Sequence, residues 1–402
     1  ESSTATGSSE MQKKRMNSKA SAAEKHADKN RKAKNRRPRI GRFITVCADV
    51  LAASALILCG YAGNISPLKY GGAWGMLHLA FPGVLAIVAL MLIVQLFTCR
   101  RGAAVLACGM VLSGGPLLTY FPLNIHFGDR QPSPGDSTFT LMSYNVANLI
   151  DQRPITEQPM GYNAIVSQIL AYDADIVCLS ESRYLSVSER LNITPVQYDS
   201  LQRRYPHIIL SGRAQCTLSK YPIQPLHTSM DSTVFGAADV GMYRVTLPGG
   251  KLLTLFNVHL QSLGLRESDK NLYVDLTELK TEDLGQIRRD LLGKVSAANV
   301  QRARQTQILL GLIRHYGGPN VIVCGDFNDV PGSYPVRSFA DAGFQSVYPK
   351  IGFGPIITFN ADRFYFCIDH VLYRGDLVPL NIHKGTEKCS DHYPLTVRFE
   401  VL

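Results

Sequence analysis

The sequence predicts a layered α+β sandwich preceded by three transmembrane helices, and three observations carry the prediction. Residues 43–124 contain three apolar stretches, each long enough to cross a bilayer. From about residue 138 onward, many strand-like runs are joined by few helical ones, which favours packed layers over a doubly wound parallel sheet. Short polar motifs also close one such run after another: Ser143-Tyr144-Asn145, Leu179-Ser180-Glu181, Phe256-Asn257-Val258-His259, Gly325-Asp326-Phe327-Asn328, Ile368-Asp369-His370 and Ser390-Asp391-His392.

The first element is a tail. Residues 1–42 hold thirteen Lys and Arg against four acids, a net of +9 in a chain of net +10. The remainder, with 29 basic and 28 acidic residues, is near neutral, so the basic balance does not by itself imply a nucleic-acid partner. The tail has almost no large apolar side chains and cannot bury enough surface to fold. A disordered cytoplasmic segment attracted to anionic lipid headgroups is expected.

The apolar stretches run from Phe43 to about Ile65, from Trp74 to Cys99 and from Ala103 to about Leu123. At 1.5 Å per residue, each spans a hydrocarbon core of ~30 Å. A cleaved signal peptide is the rival reading of the first. Against it stand a leading region of some forty residues, the poor cleavage site Asn64-Ile65-Ser66-Pro67 and two further stretches. Asp49 interrupts the first stretch and should lie near an interface or face the other helices. The tail and Arg100-Arg101 belong on the cytoplasmic side, while the first loop carries only Lys69. Three crossings then place residues 125–402 outside the cytoplasm, as in a multi-pass protein of a bacterial inner membrane.

Residues 125–137, rich in Gly, Pro and Ser, read as a linker between the anchor (43–124) and a catalytic domain (138–402). Strands are expected at Thr138–Tyr144, Ile176–Leu179, His207–Leu210, Cys216–Leu218, Met242–Leu247, Leu252–His259, Val321–Cys324, Ile368–Tyr373 and Leu395–Phe399, with an amphipathic helix at Tyr162–Tyr172. The polar segment from Leu263 reads as an insertion, ending in a sheet-packing helix from about Ser296 to Tyr316. Nine cysteines show no CxxC or Cys/His spacing, which argues against a zinc site and for buried thiols. Whether Cys367 and Cys389 pair stays open.

Carboxylates, carboxamides and imidazoles at strand ends are the donor set of a divalent-metal phosphoester hydrolase: hard oxygen ligands, a base for water and donors for a phosphoryl oxygen. Asp326 and Asn328, two apart on an extended stretch, should point the same way while Phe327 enters the core. His370 should face away from its neighbour Asp369.

In order and rough spacing, these motifs resemble those of the endonuclease/exonuclease/phosphatase superfamily, which includes pancreatic-type deoxyribonucleases, abasic-site endonucleases, neutral sphingomyelinases and inositol polyphosphate phosphatases. Residues ~138–402 carry the likeness, most specifically Cys324-Gly325-Asp326-Phe327-Asn328-Asp329-Val330-Pro331 and Lys388-Cys389-Ser390-Asp391-His392-Tyr393-Pro394-Leu395. The anchored arrangement is similar to that of members from Bacteroidetes-type bacteria. The resemblance implies a four-layered α/β sandwich with two facing mixed β-sheets and a site at one end. It implies Mg²⁺, or Mn²⁺, on Glu181 with Asp391 beside it. Asn145 would orient Glu181 or touch the metal, and Asp326 with Asn328 would hold the attacking water and the phosphate. His392 would act at the phosphoryl group with Asp369 fixing its tautomer, and His259 would stabilise developing charge.

Two departures stand out. Ser180 replaces the Gln that often precedes the metal Glu, and the usual Ser-Arg-Tyr-Pro segment is Ser219-Lys220-Tyr221-Pro222, which keeps the charge without the bidentate fork. Arg213, Arg302 and Arg304 are candidates for substrate phosphate or for salt bridges on a solvated face. The expected activity is phosphodiesterase or phosphatase action on a lipid headgroup or small phosphodiester, with the lipid bilayer as the other partner and no protein partner. The alternatives are a membrane-anchored nuclease and a catalytically inactive binding module, although none of the motif residues is lost.

Overall fold

The computed structural model describes residues 41–125, 130–133, 137–226, 239–263, 284–361 and 364–402. The basic tail and most of the expected insertion lie outside the described residues. The chain forms two compact units. Among the described residues, one takes in residues 41–57 and Gly83–Leu112, the other Leu58–Pro82 and everything from Ser113.

Among the described residues two helices, Gly41–Asn64 and Gly72–Thr98, are long and apolar enough to cross a membrane. The third expected stretch is not one straight helix. It consists of Arg100–Leu112 and Gly114–Tyr120, bent by 64° at Ser113, and the number of spans reaches three only if this pair counts as one. Two glycines and Pro116, which has no N–H to donate, follow the break and weaken helical continuity there. Within the first unit Asp49 is fully buried, and both of its oxygens accept from Gln95 Nε2 at 3.0 Å, so the carboxylate faces a neighbouring helix.

The second unit contains two six-stranded mixed sheets. The first is ordered β13-β14-β1-β2-β4-β3, the second β5-β6-β7-β8-β12-β9. The strands are β1 Ser137–Asn145, β2 Ile176–Ser180, β3 His207–Ser211, β4 Gln215–Ser219, β5 Ile223–Pro225, β6 Asp239–Thr246, β7 Leu252–His259, β8 Asn320–Asp326, β9 Gln345–Ser346, β12 Asp369–Arg374, β13 Leu377–Lys384 and β14 Leu395–Val401. A separate hairpin pairs β10 (Phe359–Ala361) with β11 (Phe364–Phe366).

The two-residue period of a strand explains the layers. Leu141, Ile176, Cys178, Leu253, Leu255, Ile322 and Cys324 join one core cluster between the sheets. Their neighbours Met142, Val177 and Leu179 pack outward with Ile165, Val166 and Ile169 of the helix Ala164–Tyr172. On the other side, Phe256, Val258, Val321 and Val323 pack with Leu309 and Ile313 of the helix Leu284–Tyr316. Near-continuous apolar runs such as Val321-Ile322-Val323-Cys324 are what a strand covered on both faces requires. The result is helix, sheet, sheet, helix, the four-layered α+β sandwich expected.

Some elements escape the sequence reading. The edge strand β13 contains Pro379, where the pairing with β14 shifts register; proline is tolerated at such an edge but hides it from pattern reading. The helix Pro195–Arg204 is largely polar, and its start is fixed by a capping box in which Thr194 accepts from Gln197 N. The helix ending at Tyr316 begins at Leu284, well before Ser296. All nine cysteines are free, and Cys367 and Cys389 do not pair.

Two parallel pairings position the site. β1 runs parallel to β2 and β7 parallel to β8, so their C-terminal ends meet at one end of the sandwich. Register aligns Asn145 with Ser180, His259 with Asp326, and Asp326 with Asp369 of antiparallel β12.

Candidate active site

The alternation that fills the core also aims the polar ends. Leu253, Leu255 and then His259 share one face of β7; Ile322, Cys324 and Asp326 share one face of β8; Val371, Tyr373 and Asp369 share one face of β12. Where these faces run out of apolar residues, the inward positions become His259, Asp326 and Asp369. Asn145 is the corresponding position of β1, after Phe139 and Leu141. Asn257, one inward step before His259, donates to Leu179 O at 3.2 Å and ties the two sheets together just beneath the cleft.

Asp326 is the centre of the cluster. It is 2% exposed, and its Oδ2 accepts from Asn145 Nδ2 at 3.0 Å and lies 3.7 Å from His259 Nε2 and 3.6 Å from His392 Nε2. Its Oδ1 accepts from Asn328 N at 2.7 Å. Burial pushes the Asp326 carboxyl up; His392 pulls it back and Asp369 adds to the rise, leaving it above the usual carboxylate range. Such a group is poised to take a proton.

His392 follows β12 in sequence but sits beside it, its Nδ1 2.8 Å from Asp369 Oδ2. Burial alone would lower the imidazole, yet the Asp369 and Asp326 carboxylates outweigh it and push it up to about 10. Asp369 is held in turn by the Thr358 hydroxyl, which accepts from Asp369 N at 3.1 Å and from Ile368 N at 3.0 Å. The Phe359 ring packs on the imidazole at 4.9 Å.

Glu181 leaves β2 in the left-handed region at φ +54°, a conformation disfavoured for a non-glycine residue and often found at functional sites. Asn145 Nδ2 donates to its Oε1 at 3.1 Å, Asn148 Nδ2 reaches Oε2 at 3.3 Å, and His259 Nε2 lies 3.8 Å away. Asn145, Glu181, His259, Asp326, Asp369 and His392 are therefore brought together.

Asn328 and Asp391 stand differently. β8 ends at Asp326, and Asn328 lies beyond it at φ +52°, so the extended geometry expected of the pair is not present. Its carboxamide donates to Leu260 O at 3.1 Å, while Phe327 enters the core against Phe339. The Asp391 carboxylate accepts from Ser390 Oγ at 3.1 Å and is close enough to help raise His392. His370 faces the other way, its Nε2 2.8 Å from Asp329 O.

Two of the basic candidates are engaged by carboxylates outside the cluster. Arg302, expected on substrate or on a solvated face, is 1% exposed and paired with Asp329 at 3.0 Å. Lys220 belongs to the opposite end of the sheet, tied to Asp173 at 2.8 Å and Asp175 at 3.3 Å. Arg213 and Arg304 are exposed.

Asp326, Asp369 and His392 offer ligand atoms within 4.8 Å of one another. Because Asp369 already holds His392, this group is better described as an acid–imidazole pair facing Asp326. Glu181, with its side chain 34% exposed, is the accessible carboxylate of the cleft. Glu181 and Asp326, both accepting from Asn145 Nδ2, offer hard oxygen donors of the kind that suits a divalent cation. Asn148, Thr358, Phe359 and Asn257 support this arrangement without having been singled out from sequence. Asn257 stood in a motif; the others come from a short helical turn, a loop and the β10 hairpin, whose positions only the fold defines.

Similar solved structures include an endonuclease/exonuclease/phosphatase from Beutenbergia cavernae DSM 12333, at 14% identity over 66% of this chain and 72% of that one, with a TM-score of 0.41. ANGEL2, a 2',3'-cyclic phosphatase in complex with adenosine-2',3'-vanadate, is similar at 17% identity over 69% of this chain and 99% of that one, TM-score 0.43. The human Nocturnin catalytic domain with bound sulfate anion is similar at 16% identity over 69% and 97%, TM-score 0.44. No curated protein matches the sequence. The model of the Endonuclease/Exonuclease/phosphatase family matches residues 142–392, more than half of the chain. The protein belongs to the endonuclease/exonuclease/phosphatase family, whose members are divalent-metal phosphoester hydrolases.

Proposed function

We propose that the protein hydrolyses a phosphoester, as a phosphodiesterase or phosphatase, in an extracytoplasmic domain tethered to the bilayer by its N-terminal helices. The observation that carries this reading is the assembly around Asp326. A carboxyl raised by burial faces a carboxylate-held imidazole, and Asn145 joins that carboxyl to the accessible Glu181.

In this mechanism Asp326 accepts a proton from water as the water oxygen bonds to phosphorus and the bond to the ester oxygen breaks. The backbone N–H of Asn328 keeps the Asp326 carboxylate oriented. His392, charged and fixed by Asp369, and His259, which approaches the same Asp326 oxygen, stabilise the negative charge that gathers on the phosphoryl oxygens. Mg²⁺, or Mn²⁺, held by Glu181 with Asp391 nearby, would supply a Lewis acid for the phosphoryl and leaving oxygens.

A lipid headgroup or small phosphodiester is the favoured substrate. Phe353, Ile357 and Tyr365 are exposed around the hairpin whose Phe359 touches His392, and the chain beyond residue 42 is near neutral. The test is turnover of bis-p-nitrophenyl phosphate, the matching monoester, sphingomyelin and plasmid DNA by the full chain in Mg²⁺ or EDTA. EDTA-sensitive turnover lost in Asp326→Ala is expected. Metal binding with turnover of DNA alone would replace the proposal with the nuclease, and absence of both metal binding and turnover would replace it with an inactive module.

A further inference from the structure

A connector that takes in the last residues of the first apolar helix and the first residues of the second packs with the two sheets as one unit. It runs from Leu58 to Pro82 through short helical turns at Ala62–Asn64, Pro67–Tyr70 and Gly72–Gly75. Two glycines allow backbone-to-backbone approach. A Cβ on Gly63 would collide with Gly332 O, and one on Gly72 with Ser296 O of the long helix.

At the centre of this contact is His78, 2% exposed, its Nε2 2.9 Å from Asp329 Oδ1. The other Asp329 oxygen accepts from Arg302 Nε at 3.0 Å. Arg302 continues to Gln261 O and to Asn299 Oδ1, and Asn299 Nδ2 returns to Gly72 O at 3.1 Å. Tyr120 donates to His78 O at 3.2 Å. A closed circuit of buried polar groups thus joins the connector to Asp329, the residue that follows Asn328.

We infer that His78 is a positioning residue of the hydrolytic site, and that the connector from Leu58 to Pro82, where the first apolar helix ends and the second begins, is a working part of the enzyme. Asn328 sits at φ +52° with its N–H on Asp326 Oδ1, so the residue after it needs a fixed anchor if that turn is to hold. Asp329 is clamped from three sides, by His78, by Arg302 and through its carbonyl by His370. Buried ionic circuits add little to stability compared with apolar packing, and their best-attested use is to fix one arrangement. Here the arrangement fixed is that of the Asp326–Asn328 turn. This inference rests on the proposed hydrolytic reading of the turn.

The experiment uses the full chain in detergent with Mg²⁺ and bis-p-nitrophenyl phosphate. His78→Ala should lower kcat by about 100-fold with little change in KM, the size of loss expected when catalytic groups shift by ~1 Å. His78→Gln, which can place an amide nitrogen near Asp329, should recover most of it. Amide hydrogen exchange of residues 326–333 should speed up in His78→Ala and return toward wild type in His78→Gln. Exchange is read without any substrate, so a wild-type protein that turns over no phosphoester overturns the functional reading while this inference is still decided. Should His78→Ala fail to fold, Tyr120→Phe removes only the hydroxyl that holds His78 and should slow kcat by about threefold. Wild-type kcat and exchange in the variants, or equal losses in His78→Ala and His78→Gln that track the folded fraction, would overturn the proposal.

Discussion

Asp326 and Asp329 belong to the same turn and are both almost fully buried, yet the structure predicts that amidating them has opposite effects on stability. Burial alone would push the Asp329 carboxyl up, but Arg302 and His78 outweigh it and hold it below the usual range. Its charged form therefore stabilises the fold, a contribution present above the ordinary carboxylate pKa and lost as pH falls through the lowered value. Asp329→Asn leaves Arg302, 1% exposed, without a countercharge. Removing one partner of a buried pair costs ~3–5 kcal/mol, and since Asn keeps an oxygen for the guanidinium, about 3 kcal/mol is expected. At ~2–4 °C per kcal/mol in a domain of this size, the melting temperature should fall by about 6–12 °C.

Asp326 has the reverse sign. Its carboxyl is raised, so the fold disfavours the charge at neutral pH, and the stability lost as pH rises through the raised value is regained when the charge is removed. Asp326→Asn should melt at or above wild type, by up to about 1 kcal/mol, while kcat falls by ~10³-fold. Thermal and urea unfolding of the full chain in EDTA at pH 7 and pH 4 would measure both: the Asp326 difference should shrink at pH 4, whereas the Asp329 difference should largely persist there because its lowered carboxyl is still charged. A loss of the same size in both variants at pH 7 would refute the reasoning.

Three further outcomes are expected. Asp369→Asn leaves His392 Nδ1 without its carboxylate and should lower kcat by about 100-fold or more with KM nearly unchanged, which steady-state kinetics would show. Glu181→Gln should weaken Mn²⁺ binding at least ~10-fold by calorimetry; unchanged affinity there, with loss in Asp369→Asn, would move the ion to the Asp326, Asp369 and His392 group. Replacing exposed Phe353 and Tyr365 by Ser should slow hydrolysis of vesicle-embedded sphingomyelin about 10-fold while leaving bis-p-nitrophenyl phosphate turnover unchanged, and equal effects on both substrates would count against a lipid-facing loop.

Much of this protein was legible before any coordinates because strand patterning is local. Val321 to Cys324 and Leu252 to His259 announce strands, and polar residues closing them announce a site, since only a functional end tolerates a carboxylate where an apolar residue would pack. The order of those motifs was enough to identify the family. Register across the sheets is not local, so only the fold set His259 beside Asp326 and Asp326 beside Asp369. Nor did extended geometry survive past Asp326, where a positive φ turns Asn328 toward Leu260. The charge of Arg302 suggested solvent or substrate; burial against Asp329 gave it another use, which no spacing in the chain reveals because its partners come from residues 261, 299 and 329. The sequence by itself determined which chemistry the strand ends carry, because side-chain identity and strand period are written in consecutive residues. Only the tertiary structure decided that the connector from Leu58 to Pro82 belongs with the two-sheet unit, because that membership depends on contacts between segments more than two hundred residues apart.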